Sequence, residues 1–305
     1  MFKEYQKFVI MKTILSILTL VFLSSTILSA QVKYDKITMV AGPQPCLTII
    51  LPDTDSKFAQ SEWKDYMKPY GRVSSVKGSK ETVVESIHVD AIGDGNLIKV
   101  YNLAEESVEG VRMIVWFDIG EGYLMDTDSN YHIAETFLLR FAHKVKVDLV
   151  ALDLEEQQKL LEKLESSLEK LQRENENLNN TIETSKGKIN DAEIGIPINE
   201  TNQDLARAEI ETQRDYVNTV RDDPKALKTE QKNLAKLQNK LDKLQKENND
   251  FHKDIDSNQD KIAKAEQDIL ENTQEQESIS RDIESQKRIV DAVQNKLMDL
   301  KAQED

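Results

Sequence analysis

Residues 220–228 read VRDDPKALK, and they interrupt about 150 residues that otherwise have the pattern of one long helix. Asp223 before Pro224 is a helix-start signal. The Asp side chain can accept from the free N–H groups of the next turn, and Pro fits the first helical position. The three residues before Pro224 are enough to connect two antiparallel helices. The stretch therefore decides between a hairpin and a kinked rod.

Heptad patterning on either side favours a hairpin. From Leu227 to Leu300 one frame holds without a slip, with Leu234, Leu241, Ile255, Ile262, Ile269, Ile283, Val290 and Leu297 at its first core position. A second frame runs from Leu154 through Leu161, Leu168, Leu178, Ile182 and Ile189 to Ile196. Apolar residues sustained at this spacing predict a coiled coil. Gly195 and Pro197 are expected to kink or locally break the helix near 195–199, though the frame resumes at Ala206, Ile210, Val217 and Val220. Each arm is predicted to be about 110 Å long at about 1.5 Å per residue. With the turn at 222–224, the core Asn175 is expected opposite Asn272, and Asn199 opposite Asn248. Leu178 then faces Ile269, Leu164 faces Ile283 and Ile196 faces Phe251. Such a register lets buried amides meet each other rather than apolar partners. Asn at a first core position also suits parallel dimers, in which the same break would be only a kink.

Composition divides the chain near residue 150. Residues 151–305 hold 36 of the 55 Asp and Glu and 24 of the 40 Lys and Arg, whereas both Trp and the single Cys lie earlier. The formal net charge of −15 disfavours nucleic acid and anionic membranes as partners, and no basic stripe is expected to offset it.

The start, MKTILSILTLVFLSSTILSAQ, has Lys12, a short apolar run and small residues up to Ala30. This is the pattern of a secretory signal peptide over residues 1–30, with residues 1–10 a possible non-native extension before Met11. An uncleaved anchor is the alternative. The expected location is periplasmic or secreted, with no stable membrane insertion after cleavage.

Residues 33–150 read as a small α/β head of about five strands and two helices. CLTIIL is a buried strand, and DTDSKFAQSEWKDYMKPYG is a helix. TVVESIHVDAI alternates, with Ile87, Val89 and Ala91 on one face. GDGN at 93–96 is a hairpin turn, LIKVYNL pairs back, and VRMIVWFDI is a central strand. A second helix is predicted from Asp128 or Ser129. The quartet DTDS occurs at 53–56 and at 126–129, and both copies are read as helix caps. Asp126, Asp128 and Asn130 have calcium-loop spacing, but Tyr131 and Phe137 stand where that loop needs Gly and Glu. Cys46 is expected to be a buried, inert thiol. His132 and His143 share a predicted helix without a carboxylate pattern. The N-x-T sequences at Asn179 and Asn199 lie in the predicted rod.

The fold class is thus α+β: a small α/β head at 33–150 followed by an antiparallel coiled-coil hairpin at 151–305. No nucleophile elbow, phosphate loop, dinucleotide fingerprint or zinc-protease pattern is present. No catalytic, cofactor-binding or metal residues are nominated, no cofactor is expected, and the chain reads as a non-enzyme. The expected role is an exported scaffold or adaptor with protein partners and possible homo-oligomers, in which the head docks and the rod presents its tip. Export signal, small β-containing body and hairpin arm together resemble, in architecture, periplasmic chaperones of the OmpH/Skp type. That resemblance implies the alternative role, a holdase.

Overall fold

A computed structural model describes residues 31–89 and 92–303. The predicted signal peptide and the 1–10 extension lie outside the described residues, as does Ala91. The chain divides into two compact units. One is formed by residues up to 153 with the last residues from 293, the other by Leu154–Ala292.

The first unit is built on one antiparallel sheet of six strands: β1 (Lys33–Met39), β2 (Gly42–Leu51), β3 (Ser74–Ser75), β4 (Thr82–Ile87), β5 (Ile98–Ser107) and β6 (Gly110–Asp118). Their order across the sheet is β1-β2-β6-β5-β4-β3. VRMIVWFDI is a central strand, as read, because residues 113–117 are buried on both faces. Two of the six strands, β1 and β3, match no segment read as a strand from the sequence. The missed β1 is mostly exposed and polar, and β3 has two residues, so neither carries an apolar period. The strand within TVVESIHVDAI stops at Ile87 after a register shift between Val84 and Ile87, where Ser86 takes a φ of 56°. At GDGN, Asp94 (φ 51°) and Gly95 (φ 83°) are both left-handed, and the Asn96 N–H donates to the Gly93 carbonyl at 2.8 Å. That is the two-residue primed turn this sequence favours.

Helix α1 (Ser56–Met67) and the first turns of α2 (Tyr131–Thr219) cover one face of the sheet. Trp63 sits edge-on to Phe141 with ring centroids 4.9 Å apart, and Phe137 packs against Tyr66 at 4.9 Å. The Tyr66 hydroxyl donates to the Phe137 carbonyl at 2.9 Å. At the rim of this cluster Lys144 bridges Glu62 and Asp148. Burial raises the Glu62 carboxyl pKa against the lowering pull of Lys144, and Asp148 adds to the rise. Burial lowers the Lys144 pKa, but hydrogen bonds to Asp148 and Glu62 outweigh it and leave the ammonium raised.

Among the described residues no helix packs on the other face, which curls over itself. The Val40 N–H, in the β1–β2 turn, donates to both carboxylate oxygens of the buried Glu81 at 3.0 and 3.2 Å. Glu81 leads into β4, near the opposite edge, so this contact draws the β1–β2 turn across the sheet. Under it a second small core forms from Met39, Cys46, Ile114 and Trp116, with Tyr101, Leu103 and Tyr123 against it.

The second unit is a hairpin of two helices. Helix α2 ends at Thr219 and α3 spans Pro224–Ala302. The fold is therefore a six-strand head and an antiparallel coiled-coil hairpin, not a parallel rod. Helix α2 runs through Gly195 and Pro197 without a local break. Pro197 removes only its own N–H from the ladder. Gly195 is explained by packing: a Cβ there would lie 2.8 Å from Cζ of Phe251.

Candidate functional site

The hairpin turn is fixed by the residues that announced it. Asp223 Oδ1 accepts from the N–H groups of Lys225 (3.0 Å) and Ala226 (3.1 Å), and its carbonyl accepts from Leu227 at 2.8 Å. The Asp223 N–H closes the turn on the Val220 carbonyl at 3.1 Å. Residues 221–225 are all exposed, so the tip offers Arg221, Asp222 and Asp223 to solvent.

Behind the tip the seam alternates apolar and polar layers. Ile182, Ala192, Ala206, Ile210, Ala265, Ile279 and Ile283 are buried, and so are Ser185, Asn199, Gln203, Asn258, Asn272 and Gln286. The cross-helix hydrogen bonds among the described residues fall within about one helical turn of the register expected from the turn at 222–224. Gln286 Nε2 donates to the carbonyl and Oε1 of Gln157 at 3.0 and 2.9 Å. Asn272 Nδ2 donates to the Leu171 carbonyl at 3.1 Å, and Gln276 Nε2 donates to Asn272 Oδ1 at 2.6 Å. Nearer the tip, Asn199 Nδ2 donates to Glu247 at 2.9 Å and Asn199 Oδ1 accepts from Gln203 at 2.7 Å. Arg207 continues that chain to Gln203 and Asp204. A shallow groove lined by Gln203, Arg207, Gln245 and Asn248 opens beside it. Closest to the turn, Gln213 donates to Glu230 at 2.8 Å.

The expected amide pairs are not bonded to each other. Asn175 donates to Thr273 at 3.5 Å rather than to Asn272, and Asn199 takes Glu247 rather than Asn248. The register is right and the partners are wrong. A heptad frame sets which residues face each other, whereas side-chain reach sets which atoms bond. Carbonyls with a spare lone pair and neighbours one turn away compete for each amide.

In the head, the two DTDS quartets diverge. Asp55 caps α1, accepting from the Phe58 N–H at 2.7 Å. The second quartet does not cap α2, which starts at Tyr131, later than expected. Instead Asp128 accepts from the Met125 N–H at 2.8 Å, and Asn130 Nδ2 donates to Asp94 at 2.8 Å and to the Ile92 carbonyl at 3.3 Å. These side chains tie the start of α2 to the GDGN turn. Among the described residues, no group of three or more His, Cys, Asp or Glu is placed to hold a metal ion. His143 Nε2 is buried without a hydrogen-bond partner among the described residues. Cys46 is 1% exposed, and its thiol donates weakly to the Asp35 carbonyl at 3.5 Å. Burial, helped by the Asp35 charge, pushes that thiol up to about 12.

One surface feature corrects the sequence reading. Seven lysines lie between Lys225 and Lys246, with only Glu230 and Asp242 against them, so a basic stripe does exist. Their spacing of three or four residues was a readable signal, hidden by the strongly acidic balance of the chain.

No family model and no curated protein matches this chain. Solved structures similar to it include two from the Smc protein of Pyrococcus yayanosii. A coiled-coil segment of that protein is 18% identical, with 53% of this chain and 78% of that one covered, at a TM-score of 0.31. Its head domain with a coiled coil and joint is 11% identical, with 90% and 70% covered, at a TM-score of 0.31. No helix among the described residues is long and apolar enough to cross a membrane.

Proposed function

We propose that this protein is an exported, non-enzymatic scaffold or adaptor, periplasmic or secreted, that holds protein partners through its head and the tip of its arm. The observation that carries the reading is the hairpin itself, closed at a capped turn that leaves Arg221, Asp222 and Asp223 exposed. Polar layers in the seam support it. They make one register better satisfied than its neighbours, so the tip sits at a defined distance.

The test replaces residues 220–223 with a Gly-Ser turn and compares capture of partners from the source cell's envelope. Loss of capture with unchanged far-UV dichroism is the expected result. Equal capture, together with equal capture after charge reversal on the exposed strand β1, would remove the reading. Export is tested separately: the mature chain should begin at Gln31 and fractionate outside the cytoplasm.

The holdase reading draws on the apolar side chains exposed along α2, Ile194, Ile198 and Leu205 among them. It expects the protein to suppress aggregation of an unfolded outer-membrane protein at equimolar ratio. No suppression would end that reading and leave the scaffold.

A further inference from the structure

The outward faces of the hairpin near its tip differ from the rest of the arm and from each other. On α2, the exposed positions Ile194, Ile198, Thr201, Leu205, Ala208 and Thr212 repeat at alternating intervals of four and three. That is a second heptad seam, turned away from α3. Ile194, Ile198 and Leu205 are 56%, 59% and 58% exposed, so nothing among the described residues covers them. Glu211 and Asp204, the latter paired with Arg207, flank this stripe, and no lysine does.

On α3, the seven lysines from Lys225 to Lys246 fall within about 60° either side of one line at ~100° per residue, opposite the core seam. All seven are exposed. Lys240 pairs with Glu209, and the other six have no ion-pair partner among the described residues. The line is about 30 Å long.

Both stripes occupy the same level of the hairpin, because residues 194–219 of α2 lie opposite 228–253 of α3 in the observed register. Two hairpins placed side by side with tips aligned therefore bring the apolar stripe of one against the lysines of the next. Lysine stems can cover Ile198 and Leu205 while their ammonium groups reach Asp204 and Glu211. Apposing two α2 stripes would instead set acid against acid. We infer that the arm binds a second copy of this chain laterally, α2 stripe to α3 lysines, near the tip. The contact is heterologous, so it builds a row or a ring of arms rather than a closed pair. It rests on the reading of the arm as an interaction surface.

Sedimentation of the purified full-length protein tests this at ~50 mM and ~500 mM salt, where screening differs strongly. The average mass should rise with concentration at low salt and fall to a single species at high salt. Two double variants, Ile198→Lys with Leu205→Lys and Lys236→Glu with Lys243→Glu, alter only exposed positions. Each alone should associate at least tenfold more weakly, and mixing the two should restore association. Three results would overturn the inference: a wild-type protein of one mass at every concentration, variants that associate like the wild type, or a mixture that does not recover. Binding of the lysines to phosphatidylglycerol vesicles without self-association would also overturn it. A wild type of one mass that still loses its partner when the turn is replaced would end the lateral contact and keep the scaffold reading.

Discussion

The head and the arm both pair their elements antiparallel, yet they specify that pairing by opposite means. In the head, register follows from tight turns and from alternation over a core of large side chains such as Trp63, Phe117, Phe137 and Phe141. A one-residue slip there would move each strand's side chains to the wrong face of the sheet. The arm has a seam of small and medium apolar residues, and a slip of seven would bury nearly the same area. Its register depends instead on Asn199, Asn272 and Gln286 finding acceptors at set heights. A core can be specified by shape, whereas a repeating seam needs landmarks.

The contrast can be broken first in the head. Trp63→Ala empties the site against Phe141 and should destabilise this unit by about 3–5 kcal/mol. Both tryptophans lie in the head. Fluorescence of Trp116 should therefore unfold at markedly lower temperature, while far-UV ellipticity keeps the arm's transition. A joint shift of both signals would show that the two units do not melt separately. Next, Gly195→Val forces the Phe251 ring aside, and overpacking of this kind costs about 1–3 kcal/mol. The ellipticity transition should move and the fluorescence transition should not. Smaller still, Asp223→Ala removes the cap on α3 and should cost about 1 kcal/mol, read as faster hydrogen exchange at Lys225 and Ala226. The smallest effect sharpens the head's side of the comparison. The folded head holds the Glu62 proton more tightly than the unfolded chain does. The stability from this site is therefore fullest in acid and declines as pH rises through and just above the usual carboxylate range. Glu62→Gln should flatten that slope and change stability at neutral pH by less than about 1 kcal/mol. An unchanged pH profile would place the titration elsewhere.

The arm was the more legible of the two regions. Heptads and one Asp-Pro step gave both helices and the turn, because a 3.5-residue period over ten repeats has few competing explanations. What a period cannot show is atomic partnership, which is why Asn175 and Asn199 bond to Thr273 and Glu247, next to the residues expected to face them. Pro197 does not end α2, because one missing N–H leaves the rest of a long hydrogen-bond ladder in place. In the head the covered strands were legible and the edges were not. The exposed Lys33–Met39 strand becomes visible only through β2, whose residues it pairs from Lys33 with Thr48 to Met39 with Gly42. The lysine stripe is legible in the spacing of Lys225 to Lys246, although the whole chain carries a net charge of −15.

The short connection at 220–223 also dictates how the arm comes together in time. Next to the turn, closing Gln213 on Glu230 loops only a short stretch of chain, whereas joining Gln157 to Gln286 first would close a far larger loop. Pairing therefore starts at the turn and zips toward residues 154 and 292, each layer shortening the loop that the next must close. Each layer nearer the turn thus closes at a lower entropic cost than the next one out.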